Sequence, residues 1–318
     1  MATSPDSDHS AHANQLSLDD PLIFLALRTL AREIESLQSR LPQEGQSPSP
    51  EQIHRMRITA RRIRVALRLF GGLVPKDARR LRAELRWLGR ALGEVRDLDV
   101  YAERIAAAEG AQPDSAAEAL ELELHGARTH ARARLDDQLA TPRFAALIAD
   151  VADVADVVAR KPSPATLRRS RSVTIRRAAR DDVRASLRRV LKLGRKIDAE
   201  SPPERLHRLR IRAKRLRYEA EFYVEFDAGL KPLARAAKHL QDVLGAYRDA
   251  GIAAERLRGY ARAPGSSGAP HDDAMRPLIR EQNRRAAGAR RRFAAAWRKL
   301  ERAAVRTKPA EKRKHKRK

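Results

Sequence analysis

Two stretches of the chain carry cations at a spacing suited to holding an anion: HRMRITARRIRVALRLF at 54–70 and HRLRIRAKRLRYEAEFY at 207–223. On a helix advancing about 100° per residue, His54, Arg57, Arg61, Arg64 and Arg68 fall in one stripe about 80° wide. Met56, Ala60, Ile63, Leu67 and Phe70 fall on the opposite, core-facing side. In the second stretch the stripe holds His207, Arg210, Lys214 and Arg217, with Glu221 in the last place. The core side there is Leu209, Ala213, Leu216, Ala220 and Tyr223.

A solvated helix face is the plain explanation of a charge run. Such a face usually interleaves acids three or four residues away, because like charges at that spacing destabilise a helix by a few tenths of a kcal/mol per pair. Here no Asp or Glu occurs from Gln52 to Lys76, nor from Arg205 to Tyr218. A bound polyanion offsets that cost. From His54 to Arg68 the stripe runs roughly 21 Å at 1.5 Å per residue, a better match to a linear anion than to one phosphate. Each histidine stands near a helix N-terminus, where the helix dipole favours anions. A metal role is not indicated: there is no HExxH, and His125 and His130, five apart, do not share a helical face.

The elements that must position these stripes are helices. Ala, Leu, Arg and Glu dominate the composition, aromatic residues make up 4%, and no strand pattern stands out. The expected helices cover about 18–41, 50–70, 77–92, 96–109, 114–140, 142–160, 165–198, 204–226, 230–245, 249–263 and 272–306. Ser49-Pro50-Glu51-Gln52 and Ser201-Pro202-Pro203-Glu204 read as capping boxes at the start of the two stripe helices. A further cationic helix lies at 176–196, where Arg188, Lys192 and Arg195 share a face and are candidates to extend the track. Residues 1–16 and 307–318 read as disordered tails, the second of them basic.

The chain has 318 residues, a formal net charge of +26 and no cysteine. That charge excess points to a polyanionic partner: nucleic acid, an anionic surface or another phosphate polymer. The N-terminus has no apolar signal core, and the most apolar stretch, 144–159, is too short to span a bilayer and holds three aspartates. The expectation is a cytoplasmic protein with no membrane span.

An internal repeat organises the chain. His54 aligns with His207 at an offset of 207 − 54 = 153, and Arg55, Arg57, Ile58, Ala60, Arg62 and Arg64 recur as Arg208, Arg210, Ile211, Ala213, Arg215 and Arg217. Downstream, ALGEVRDLDVYAERI (91–105) matches VLGAYRDAGIAAERL (243–257), and Leu92 aligns with Leu244 at 244 − 92 = 152. Two matching blocks in one order indicate duplication of a helical unit. The fold class expected is all-α, with two similar helical-bundle lobes at about 17–160 and 161–306. The paired LGxxRD segments are expected to place Gly at a helix end and to tie Arg to Asp between helices.

With both copies in this order, the sequence resembles the CHAD (conserved histidine α-helical domain) family over roughly 17–306, through the motif H-x-x-R-[VI]-x-x-[RK]-x-x-R. The resemblance implies two helical lobes related by a pseudo-two-fold. It also implies a basic central surface that binds inorganic polyphosphate and targets proteins to polyphosphate granules. Carried over by position, the polyphosphate-binding residues are His54, Arg57, Arg61 and Arg64, then His207, Arg210, Lys214 and Arg217. Arg68 extends the first copy, whereas Glu221 stands in the corresponding place of the second. Some members carry an upstream triphosphate-tunnel domain marked by ExExK. EIESL at 33–37 lacks the lysine, so the expectation is a non-enzymatic binding module with no cofactor. The alternative is a nucleic-acid-binding protein using the same basic surface or the basic tail. Only Tyr218 lies near a stripe as a candidate stacking aromatic.

Overall fold

The computed structural model describes residues 16–43, 45–73, 77–106, 115–160, 162–261 and 269–307. The two expected tails lie outside the described residues except for Leu16 and Thr307. Among the described residues the protein is all-helical, and an isolated bridge pairs Pro21 with Thr174. The helices are α1 (Leu22–Gln38), α2 (Pro50–Leu69), α3 (Asp77–Ala106), α4 (Ser115–Leu139), α5 (Pro142–Ala159), α6 (Pro164–Ser170), α7 (Ile175–Gly194), α8 (Pro203–Tyr223), α9 (Lys231–Ala261) and α10 (Ala269–Arg306). They form two compact units, Met1–Ala178 and Ala179–Lys318, and the division falls inside α7.

In the first unit α2 packs on α1 and α3, and α3 also packs on α4 and α5. Met56, Ala60, Ile63, Leu67 and Phe70 are buried, as are Leu81, Leu85, Leu88 and Leu92 of α3 at helical spacing. Each Leu, Ile, Met or Phe among them contributes about 1.5–3 kcal/mol when taken from water. The capping box at α2 forms: Ser49 Oγ accepts from Gln52 N at 3.2 Å, and Gln52 Oε1 accepts from Ser49 N at 2.8 Å. That fixes where the helix starts, and hence which face the cations take.

In the second unit α8 and α10 both pack on α9. Leu209, Ala213, Leu216, Ala220 and Tyr223 of α8 are buried with Leu233, Ala237, Leu240 and Leu244 of α9. The capping box expected at Ser201 does not form. Pro202 is the N-cap of α8, and no side chain caps it. Ser201 Oγ instead donates to Asp198 Oδ1 at 2.7 Å and accepts from Asp198 N at 3.1 Å. The hydroxyl is spent on the preceding turn.

Three other boundaries differ from the sequence reading. The helix expected over 165–198 is broken into α6 and α7, because the β-branched run Val173-Thr174-Ile175 pairs with the chain entering α1. Leu22 N donates to Val173 O and Ile175 N to Asp20 O, each at 2.9 Å. The breaks expected after 92 and 245 do not occur: α3 and α9 run straight through the LGxxRD segments.

Candidate anion-binding site

α2 and α3 together make the first candidate site. Arg57, Arg61 and Arg64 project from α2 into an open recess of ≈ 360 Å³, and Arg90, Glu94 and Asp97 face it from α3. Gly89 and Gly93 complete its lining on the α3 side. α3 continues through both glycines, where a break was expected after residue 92. They are interior residues that leave the α3 side of the recess without side chains, at a cost of about 1 kcal/mol each in helix propensity. A Cβ on Gly89 would stand 3.9 Å from Arg64 Nη1.

Asp97 Oδ1 accepts from Arg57 Nη1 at 2.9 Å, so the acid of the LGxxRD segment does tie one stripe arginine to its place. Arg96, the neighbouring arginine, reaches Glu103 at 2.8 Å. Glu94 is paired with Arg134. His54 is held below the usual histidine range first by burial and then by Arg96, Arg57, Arg61 and Arg55. Arg64 is pushed down by burial and by Arg86, Arg61, Arg68 and Arg82. Its Nε is buried with no hydrogen-bond partner among the described residues. Arg68 is exposed near the helix end. Guanidiniums crowded in this way, with a buried donor unmet, raise the potential for an anion.

The second unit repeats the local arrangement on α8 and α9. His207 is held down first by burial and then by Arg248, Arg210 and Lys214. Its Nδ1 is buried with no hydrogen-bond partner among the described residues. A Cβ on Gly245 of α9 would lie 3.5 Å from Arg210 Nε, so this arginine rests against the α9 backbone. Arg217 Nε lies 3.2 Å from Glu221, and its guanidinium sits 4.4 Å above the ring of Tyr218. The acid at the end of this stripe therefore neutralises its last cation. Tyr218 is 2% exposed, which removes it as a platform for a stacked base.

The structure thus brings His54, Arg57, Arg61 and Arg64 together, and His207 with Arg210 and Lys214. Arg188, Lys192 and Arg195 are exposed on α7 or just past its end, and no described contact ties them to the His207 stripe. Sequence reasoning missed Arg82, Arg86 and Arg90, which repeat every four residues on α3. It also took Arg96 and Arg248 for structural partners, although each adds charge beside a histidine. Their identical place in both repeat blocks was the available signal. Arg62 and Arg215, equally identical, point elsewhere. Arg62 binds Glu33 at 2.8 Å and Arg215 binds Glu219 at 2.5 Å, and both acids are buried.

No curated protein matches the chain. Among solved structures, PptA from Streptomyces chartreusis superposes with a TM-score of 0.67 at 23% identity, covering 88% of this chain and 100% of that one. The CHAD domain from the plant Ricinus communis superposes with a TM-score of 0.60 at 22% identity, covering 92% and 94%. The family model for the CHAD domain matches residues 28–258, which contain both stripes and both LGxxRD segments. The chain belongs to the CHAD domain family.

Proposed function

We propose that the protein binds inorganic polyphosphate, without turning it over, through the cationic stripes of α2 and α8. The observation that carries this reading is the α2–α3 recess. Three arginines of the stripe converge there with Arg90, the adjoining backbone is cleared by glycine, and a buried Arg64 Nε has no protein acceptor among the described residues. Phosphate oxygens supply acceptors in the fork geometry that guanidinium groups favour. The carboxylates beside the recess are tied up, Asp97 by Arg57 and Glu94 by Arg134, which supports a binding surface over an acid–base site.

The matching helix pairs α2–α3 and α8–α9, with His54 beside Arg96 and His207 beside Arg248, support descent of both from one duplicated unit. Among the described residues no helix is long and apolar enough to cross a membrane. With a charge of +26 and a phosphate-polymer ligand, we place the protein at cytoplasmic polyphosphate granules. Calorimetric titration with tripolyphosphate and with long chains tests the site. Long chains can occupy a whole stripe of roughly 21 Å and are expected to bind more tightly per molecule. Equal affinity for the two ligands would mean a closed pocket for one short anion.

A further inference from the structure

α10 carries a second cationic arrangement that the repeat does not contain. Three dibasic pairs, Arg284–Arg285, Arg291–Arg292 and Arg298–Lys299, recur every seven residues. All six side chains are exposed. No acid occurs between Glu281 and Glu301, a stretch holding seven cations. Glu281 holds the first pair, at 2.8 Å from Arg284 and 2.9 Å from Arg285. Among the described residues the second and third pairs have no such clasp. Stacked like charges at this density cost helix stability, which a bound polyanion offsets.

The geometry narrows the choice of polyanion. At about 100° per residue, Arg284, Arg291 and Arg298 form one row, and Arg285, Arg292 and Lys299 form a second row about 100° away. Between the rows stand Gly288 and Ala295. The buried face of α10, with Gln282, Ala289, Ala296 and Leu300, packs toward α9 on another side. A single thin phosphate chain meets one row. Two rows flanking a low centre match the two backbones that border a duplex groove; a major groove is about 12 Å wide and admits a helix. The aromatics of this stretch are not placed for stacking on single-stranded bases. Phe293 and Trp297 stack on each other at 6.3 Å, and Trp297 lies against Gly194 of α7. α10 also begins beyond residue 258, where the match to the CHAD domain stops.

We infer that the outer face of α10 binds the phosphate backbones of duplex nucleic acid, independently of base sequence, by straddling a groove. The proposal is separate from the polyphosphate reading of the α2 and α8 stripes and stands or falls on a different face.

The test uses the full-length protein and a fluorescent 20-base-pair DNA duplex of arbitrary sequence, titrated by anisotropy across a salt series. Arg291→Glu/Arg292→Glu is compared with Arg57→Glu/Arg61→Glu, which changes net charge equally. The α10 variant is expected to lose about tenfold or more in duplex affinity and to flatten the log–log salt slope by about 2, whereas the α2 variant changes the slope little. Gly288→Leu/Ala295→Leu leaves the charge unchanged and fills the centre. It is expected to weaken duplex binding without altering polyphosphate binding, and circular dichroism checks that each variant is folded. Equal losses for the two charge-reversal variants, or an unaffected Gly288→Leu/Ala295→Leu variant, would overturn groove seating. If the α10 variant loses long-chain polyphosphate as strongly as duplex, the face is a polyphosphate track and the duplex assignment is wrong.

Discussion

On the proposed reading, His54 and His207 are the residues at which ligand and proton binding would meet. In the free protein both are held below the ordinary value of 6.5, chiefly by burial and then by neighbouring cations. A bound polyanion cancels that repulsion and raises both pKa values. Binding therefore takes up protons over the interval between the lowered free value and the higher bound one, and affinity rises as pH falls through that interval. Calorimetry in buffers of different ionisation enthalpy, at pH 7.5 and 5.5, is expected to show proton uptake that disappears in His54→Ala/His207→Ala. An unchanged pH dependence in that variant would remove the histidines from the site. Arg62 and Arg215 present the opposite case. Each neutralises a buried carboxylate: Glu33 is 5% exposed and Glu219 1%. Removing one partner strands a buried charge, so Arg215→Ala is expected to destabilise the protein by about 3–5 kcal/mol in urea unfolding. A loss below about 1 kcal/mol would mean that water replaces the arginine. Nothing in the repeat alignment separates these arginines from those of the stripe. Arg57/Arg210 and Arg64/Arg217 of the stripe are identical pairs just as Arg62/Arg215 is, and only the packing of α1 on α2, or of a buried Glu219 within α8, gives Arg62 and Arg215 a different task.

Helix identity was legible where apolar periodicity was strong. The stripe and core faces of α2 and α8 follow from spacing alone, and the α2 capping box formed as its residues indicate. Boundaries were less legible, because Gly and Ser carry more than one physical meaning. Gly93 and Gly245 read as stops from the sequence. In the structure they are interior positions at which a side chain is absent beside the stripe cations. Ser201 read as a cap, yet its hydroxyl is taken by Asp198. The extended pairing that breaks α6 from α7 joins residues about 150 apart, which no local pattern reveals. Gly194, the last residue of α7, shows how close packing can be at such a position: a Cβ there would fall inside the ring of Trp297 on α10. Gly194→Ala is expected to displace that ring and lower stability by about 1–3 kcal/mol, read as a lower melting temperature with quenched or shifted tryptophan emission. Gly245→Ala, whose Cβ would meet Arg210 Nε at an ordinary 3.5 Å, is expected to be neutral or stabilising by up to about 1 kcal/mol.

For the chain as a whole, a net charge of +26 makes some attraction to any polyanion inevitable, so affinity alone cannot distinguish a built site from diffuse charge. Composition made the cationic excess legible, and the repeated motif located the two helix faces on which the proposed binding rests. The supporting arginines of α3 and α9 were visible as residues but not as neighbours, because their proximity depends on how α2 packs on α3 and α8 on α9. The deciding comparison holds charge constant and changes its place. Long-chain polyphosphate is titrated by calorimetry at physiological salt into the wild type, into Arg57→Glu/Arg61→Glu/Arg210→Glu/Lys214→Glu, and into Arg291→Glu/Arg292→Glu/Arg298→Glu/Lys299→Glu. Both variants lower the net charge by the same amount. The stripe variant is expected to lose about a hundredfold in affinity, equivalent to about 2.7 kcal/mol, while the α10 variant stays within a few-fold of wild type. Equal losses in the two variants would contradict binding at the stripes.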